Sequence, residues 1–321
     1  MKYFFAFFLL PLQLFAQSDT TQPADLKTLY AISATSAQTA YAAGEAGTIL
    51  ETENGGATWS AVHKPKGPAS DLLGIAFADK MAGVAVGKDG VILRTTDAGN
   101  QWTQTQSGTI QTLIDVQFAD STTGWCVGFE GTVLKTTNGG KSWVVQPTGV
   151  NNVFWSVSFT NKNIGWVCGS RGIIMKTTNG GRSWSQLDSG LPNFLYSIQF
   201  VSPKTGWVTG GYGAVLKSTD GGASWEKQNT RPSLSVFKSN TYFYGMEFTD
   251  SLTGCIVGDG GLIMRTANSG EKIETVSSPT QEVLYAVHFA NHNTGWAVGT
   301  QETILKTTDG GITWTTQGIL Q

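Results

Sequence analysis

The stretch GWAVGTQETILKTTDGGITW, residues 295–314, is one of seven related segments, and that repetition constrains the fold more tightly than composition does. The others are YAAGEAGTILETENGGATW (41–59), GVAVGKDGVILRTTDAGNQW (83–102), GWCVGFEGTVLKTTNGGKSW (124–143), GWVCGSRGIIMKTTNGGRSW (165–184), GWVTGGYGAVLKSTDGGASW (206–225) and a worn copy, GCIVGDGGLIMRTANSGEKI (254–273). The second glycine of each copy falls at Gly44, Gly87, Gly128, Gly169, Gly210, Gly258 and Gly299, at intervals of 43, 41, 41, 41, 48 and 41 residues. A further segment precedes each copy: LYAISA (29–34), LLGIAF (72–77), LIDVQF (113–118), FWSVSF (154–159), LYSIQF (195–200), FYGMEF (243–248) and LYAVHF (284–289).

Each period therefore predicts four short strands: this segment, GWxVG, TILKTT, and the stretch around the closing Trp. β-Branched and aromatic residues fill these runs, with Gly, Asn, Asp and Pro between them. No amphipathic helix of useful length interrupts the pattern. A single four-stranded blade leaves both faces bare, whereas a radial array buries faces against neighbours and exposes only short edges. The expected fold is all-β, a seven-bladed β-propeller with four antiparallel strands per blade. It spans residues 29–321, with repeats near 29–59, 72–102, 113–143, 154–184, 195–225, 243–273 and 284–314. The first copy starts with its first strand and the last ends with its fourth, so the sequence shows no strand exchange closing the ring.

The turn Thr307-Thr-Asp-Gly-Gly-Ile-Thr-Trp314 fits S/T-x-D-x-G-x-T-W, and related turns occupy the other periods. Its third residue is Asn54, Asp97, Asn138, Asn179, Asp220, Asn268 and Asp309 in order. Asp or Asn there accepts bonds from nearby backbone N–H groups, glycine supplies positive φ, and Trp offers an apolar face. Free exchange of Asp for Asn argues for a turn role and against general acid chemistry.

This motif is the Asp-box, or BNR repeat. With GWxVG and a single seven-copy ring, the chain most resembles the photosystem II assembly/stability factor family. The resemblance implies a seven-bladed, non-catalytic propeller that acts as a chaperone-like scaffold for a protein partner. Photosynthetic members of that family use an Arg-rich surface patch, whereas this chain has only Arg94, Arg171, Arg182, Arg231 and Arg265.

Of eleven Trp, six close Asp-boxes and four follow the first glycine of GWxVG, positions that predict core; only Trp155 lies outside both. Cys126, Cys168 and Cys255 sit in second strands of different blades, an odd count expected to stay as buried free thiols. The His residues, 63, 288 and 292, lack zinc-ligand spacing, and the glycine-rich GGYG (210–213) and GDGG (258–261) lead into no helix. No metal, cofactor or phosphate site is expected.

Residues 1–16, MKYFFAFFLLPLQLFA, read as a secretory signal peptide cleaved after Ala16, followed by a polar linker over 17–28. The mature domain is expected to be exported, periplasmic or secreted, with no membrane span after cleavage and as a monomer. Without Lys2 it carries 20 basic against 23 acidic residues, net −3, with no basic stripe for nucleic acid.

Asp-boxes also occur in sialidases and other glycan hydrolases, which makes a glycan-binding or glycoside-hydrolase propeller the alternative reading. A sialidase requires an Arg cluster, but Arg94 and Arg265 stand where other third strands carry Lys135, Lys176, Lys217 and Lys306. Hydrolysis also needs two carboxylates that break the repeat. Glu45, Asp89, Glu130, Asp259 and Glu302 instead read as equivalent loop positions in successive blades.

The candidate binding face carries the loops entering the first strand and those between strands two and three; the Asp-box turns lie opposite. The second position of the first strand runs Tyr30, Leu73, Ile114, Trp155, Tyr196, Tyr244 and Tyr285. These aromatics either line the rim of the central channel or pack between blades. Glu130, Arg171, Tyr212 and Asp259 join them from the second-to-third-strand loops, and the longest interval adds the aromatic-bearing NTRPSLSVFKSNTYF (229–243).

Overall fold

The computed structural model describes residues 26–65, 69–228, 230 and 241–319. The expected signal peptide, all of the linker except residues 26–28, and most of 229–243 lie outside them. Among the described residues, twenty-eight strands form seven four-stranded antiparallel sheets, each built from strands consecutive in sequence. Helix is confined to six three-residue 3-10 turns, and no described helix is long and apolar enough to cross a membrane. The fourth strands begin after the box-closing Trp rather than around it, as at Ser60–His63 and Thr315–Thr316, so the blades reach two to four residues past the expected repeat ends.

First strands stand side by side around the axis, and that of the seventh blade (Leu284–Phe289) meets that of the first (Leu29–Ala34). The ring closes without strand exchange. Instead, Trp296, Val298 and Ile304 of blade seven share an apolar cluster with Leu29, Ile32 and Trp59 of blade one, and Ile319 pairs with Trp59 as an isolated parallel bridge.

The repeat's consensus is explained by one packing unit between neighbouring blades. Trp166 of blade four lies flat on Phe200 of blade five, centroids 3.6 Å apart, and Trp225 of the next Asp-box meets that Phe edge-on at 5.8 Å. Lys176, cross-strand from Trp166, lies over its ring at 5.2 Å. Trp125 on Phe159 and Trp207 on Phe248 repeat the stack at 3.5 and 3.7 Å. The glycine preceding each Trp is needed because a Cβ there would strike the Phe ring of its own first strand, as at Gly295 against Phe289, 2.7 Å away.

The Asp-box serves this interface. Its fourth residue turns a carbonyl toward the preceding blade. Gly221 O accepts from both Trp166 Nε1 (3.0 Å) and Lys176 Nζ (2.9 Å), and Gly180 O from Trp125 Nε1 (3.2 Å) and Lys135 Nζ (2.8 Å). Where the second strand carries a smaller residue, the cross-strand partner becomes Arg: Val84 faces Arg94 and Cys255 faces Arg265. Their Nε groups donate to Gly139 O (2.6 Å) and Gly310 O (2.7 Å). The longer guanidinium stem fills volume that an indole occupies elsewhere. In blade one Tyr41 reaches Ala98 O through its hydroxyl at 2.8 Å. Both suspect arginines are thus structural.

A second seam runs along the inner strands. A side chain at their fifth position accepts a hydrogen bond from the sixth-position N–H of the next blade. Ser33 serves Phe77, Gln117 serves Phe159, Ser158 serves Phe200, Gln199 serves Phe248, and Glu247 serves Phe289. His288 Nδ1 accepts from Ala34 N at 3.2 Å, joining blade seven to blade one. These bonds satisfy N–H groups on inner-strand edges at six of the seven blade junctions; between blades two and three the fifth position is Ala76, which offers no side-chain acceptor.

The core expectation for Trp holds unevenly. Trp59, Trp125, Trp166, Trp207 and Trp296 are wholly buried and Trp143 and Trp314 nearly so, but the box-closing Trp102, Trp184 and Trp225 are only half-buried. The three cysteines are buried free thiols, and burial pushes that of Cys255 up to about 12.

Candidate functional site

The second residue of every first strand is the extra residue of a β-bulge. Pairing skips from Leu284 to Ala286 opposite Gly299 and Val298, leaving Tyr285 out, and the same skip leaves out Tyr30, Leu73, Ile114, Trp155, Tyr196 and Tyr244. A bulge re-aims its side chain. The second glycine of GWxVG belongs to this device, since a Cβ on Gly299 would overlap the Val283 carbonyl.

The re-aimed rings form one chain around the channel mouth. Centroid separations are 5.5 Å for Tyr30–Tyr285, 5.2 Å for Tyr285–Tyr244, 5.2 Å for Tyr244–Tyr196 and 5.5 Å for Tyr196–Trp155. Phe129 extends it beyond Trp155 at 6.3 Å, and Tyr242 lies within 6.1 Å of Tyr196, Tyr212 and Tyr244. The gap falls at blades two and three, where Leu73 and Ile114 replace aromatics. The two sequence readings therefore merge: the rings touch across blades, yet stay half-open at the mouth. Trp155 Nε1 is enclosed and has no hydrogen-bond partner among the described residues.

The loop carboxylates are not equivalent, contrary to the expectation. Glu45 and Asp259 directly follow the second glycine and fold inward, accepting from Thr28 N (2.9 Å) and Tyr242 N (2.8 Å). Tyr30 adds its hydroxyl to Glu45 at 3.3 Å, and Tyr244 lies beside Asp259. Asp89, Glu130, Arg171 and Tyr212 come one residue later, in the left-handed region with φ between 53° and 58°, and project outward. Glu302 lies a residue further on, also at positive φ. Glu130 accepts from Gln111, whereas Arg171 is exposed with no ion pair among the described residues. Tyr212 is 57% exposed.

Burial pushes the Asp259 carboxyl up and holds the rim phenols neutral, Tyr285 rising to about 12. Deeper in the ring wall, desolvation raises the Asp115 carboxyl to about 6 and that of Glu247 also upward; both accept backbone N–H groups from the next blade. They act as inter-blade fasteners.

On the opposite face the Asp-box residues form turns. Asp309 Oδ1 accepts from Thr313 N (2.9 Å) and Ile312 N (3.0 Å), and Oδ2 accepts from the Thr313 hydroxyl (2.6 Å). Asn179 keeps the backbone bond from Ser183 and donates its amide to the Ser183 hydroxyl at 2.8 Å. The hydroxyl switches between donor and acceptor, so Asp and Asn interchange. Asn54, Asn138, Asp97, Asp220 and Asn268 accept the same turn bonds. A groove of about 550 Å³ lies between blades six and seven near Arg265, Asn268, Glu274 and Ile312, without aromatic lining.

The sequence reading missed Phe129 and Phe194 and placed Tyr242 only within a loop. A signal existed: Phe194 and Tyr242 both directly precede a first strand, where other blades carry Thr28, Asp71, Thr112, Val153 and Val283.

Fold and turn chemistry together define a seven-bladed Asp-box propeller with an aromatic channel mouth. The chain belongs to the photosynthesis system II assembly factor YCF48 family, whose model matches residues 14–96, 95–193, 188–278 and 270–321. Among solved structures it is similar to YCF48 bound to a D1 peptide, at 17% identity over 89% of this chain and 93% of that one, TM-score 0.73. YCF48 from Cyanidioschyzon merolae is 18% identical over 90% and 97%, TM-score 0.70. The GH74 enzyme of Niastella koreensis shares 16% identity over 90% of this chain but 53% of its own, TM-score 0.68. At these identities the likeness is one of fold. No curated protein matches the sequence.

Proposed function

We propose that this protein is an exported, non-catalytic scaffold, an assembly or stability factor that holds a segment of a protein partner at its channel mouth. The observation that carries the reading is the unbroken chain of half-open aromatic rings from Tyr30 to Phe129, built from bulge positions and flanked by exposed Tyr212 and Arg171. Aromatic and Arg side chains dominate binding hot spots because they bury large areas while keeping directional contacts. Family membership supports it, as does a relative of the same fold that is bound to a peptide. The N-terminal apolar run supports export.

The test is crosslinking and recovery of partners from the native envelope with the wild type and with Trp155, Arg171 and Tyr212 replaced by Ala. Loss of the partner with the melting temperature lowered by only about 2 °C is the expected result. Full recovery by the triple variant would move the site elsewhere. Sequencing of the mature N-terminus and fractionation test export. Turnover of a chromogenic glycoside would favour the hydrolase alternative, to which the GH74 neighbour and the shared Asp-box give their only support.

A further inference from the structure

Among the described residues the rim is not electrically neutral. Glu45, Asp89, Glu130, Asp259 and Glu302 occupy the turns between second and third strands, against Lys88 and Arg171. Lys88 is already tied to Asp71 at 2.6 Å. Arg171 belongs to blade four, outside the tyrosine sector of blades five, six, seven and one.

Within that sector the two inward carboxylates, Asp259 and Glu45, lie among phenol rings. Asp259 accepts from Tyr242 N and lies near Tyr244 and Tyr285, and Glu45 accepts from the Tyr30 hydroxyl and lies near Tyr285. Neither carboxylate has a cationic partner among the described residues. Among the described residues, Glu45 accepts from the Thr28 backbone N–H and the Tyr30 hydroxyl and Asp259 from the Tyr242 backbone N–H, which leaves lone pairs for a ligand. The phenols stay neutral through the physiological range and present π-faces, the surface a cation seeks.

Building on the scaffold reading above, we infer that the mouth selects a basic segment of its partner, with a Lys or Arg side chain seated among Tyr196, Tyr244, Tyr285 and Tyr30 and its cation between Asp259 and Glu45. One cationic guest would meet both the π-faces of the rings and the half-buried carboxylates, which have no counter-ion among the described residues. An acidic segment in that sector would meet Asp259, Glu302 and Glu45 instead, and like-charge contact suppresses wrong partners.

The experiment uses the full chain and three synthetic peptides sharing one aliphatic and aromatic sequence, with Lys, Gln or Glu at the variable positions, in fluorescence polarisation. The Lys peptide is expected to bind about tenfold tighter than the Gln peptide, the scale of one partly desolvated cation–π and carboxylate contact. That advantage should vanish between about 0.01 M and about 1 M salt, as the screening length falls from about 30 Å to about 3 Å. Asp259→Asn with Glu45→Gln should bring the Lys peptide down to the Gln level without changing the Gln peptide. If the double variant melts early, the peptide ranking and salt response of the wild type still decide. Equal binding of all three peptides, or preference for Glu, overturns the inference; the scaffold reading survives that outcome if Tyr196→Ala still weakens the Gln peptide. Failure of every peptide also overturns it, and the envelope crosslinking above reports separately on the scaffold.

Discussion

Replacing Trp166 by Ala should be among the most damaging single changes in the protein. Its side chain is wholly buried, stacked on Phe200 at 3.6 Å, bonded to Gly221 O at 3.0 Å and covered by Lys176. Truncating a buried aromatic costs about 3–5 kcal/mol. The lost indole bond adds about 1 kcal/mol, and the cation–π contact about 0.5–1 kcal/mol. Lys176 keeps its own bond to the Gly221 carbonyl, so no acceptor is orphaned and the total should stay near 5 kcal/mol. For a domain of this size that lowers the melting temperature by about 8 °C. Trp155→Ala is the internal control, because that ring is half-exposed and has only edge contacts to Phe129 and Tyr196; it should cost about 1 kcal/mol. The chain also supplies a rescue. Trp166→Val with Lys176→Arg copies the Val84–Arg94 pair of blade two and should recover more than half of the loss relative to Trp166→Val alone. Thermal and urea unfolding measure all four variants. Equal shifts for Trp166→Ala and Trp155→Ala, or no recovery by Arg, would refute the account of how blades interlock.

Asp309→Asn should change stability by less than about 0.5 kcal/mol, because Thr313 reverses its hydroxyl, whereas Asp309→Ala strands turn donors and should cost about 1–2 kcal/mol in urea melts. The Asp220 carboxyl is held down to about 2 by the Ser224 hydroxyl and backbone. Because its folded value lies below the unfolded one, its stabilisation is complete above about pH 4 and disappears as pH falls through about 2, so Asp220→Asn should flatten that part of the melting-temperature profile. His288→Leu should lose about 1 kcal/mol by leaving Ala34 N without its acceptor, while His288→Gln should keep most of it; identical melts would show that this bond does not hold the closing seam.

Blade number, strand order and the Asp-box turn were legible in the sequence because their causes are local. Side chains alternate with period two along a strand, and the bonds made by the turn's own Asp or Asn side chain span four residues at most, as from Thr313 N to Asp309. Each copy therefore carries its own instructions, and seven copies at a near-constant interval leave one architecture. The packing unit left a partial trace, since Trp with Lys and a smaller residue with Arg alternate across strands, but their meaning needed the neighbouring blade's carbonyl.

The mouth was decided by tertiary structure. The sequence placed aromatics at the second position of five first strands, but did not reveal the bulge that turns them outward together. Nor did it separate Glu45 and Asp259, which fold inward, from Asp89, Glu130, Arg171 and Tyr212, which left-handed backbone points away. The inner seam was equally hidden: its bonds join residues 42 to 49 apart and, at the closure from Ala34 to His288, 254 apart. A linear pattern records what each strand buries, but only closing the ring determines which side chains from different blades share a surface and which donors they satisfy.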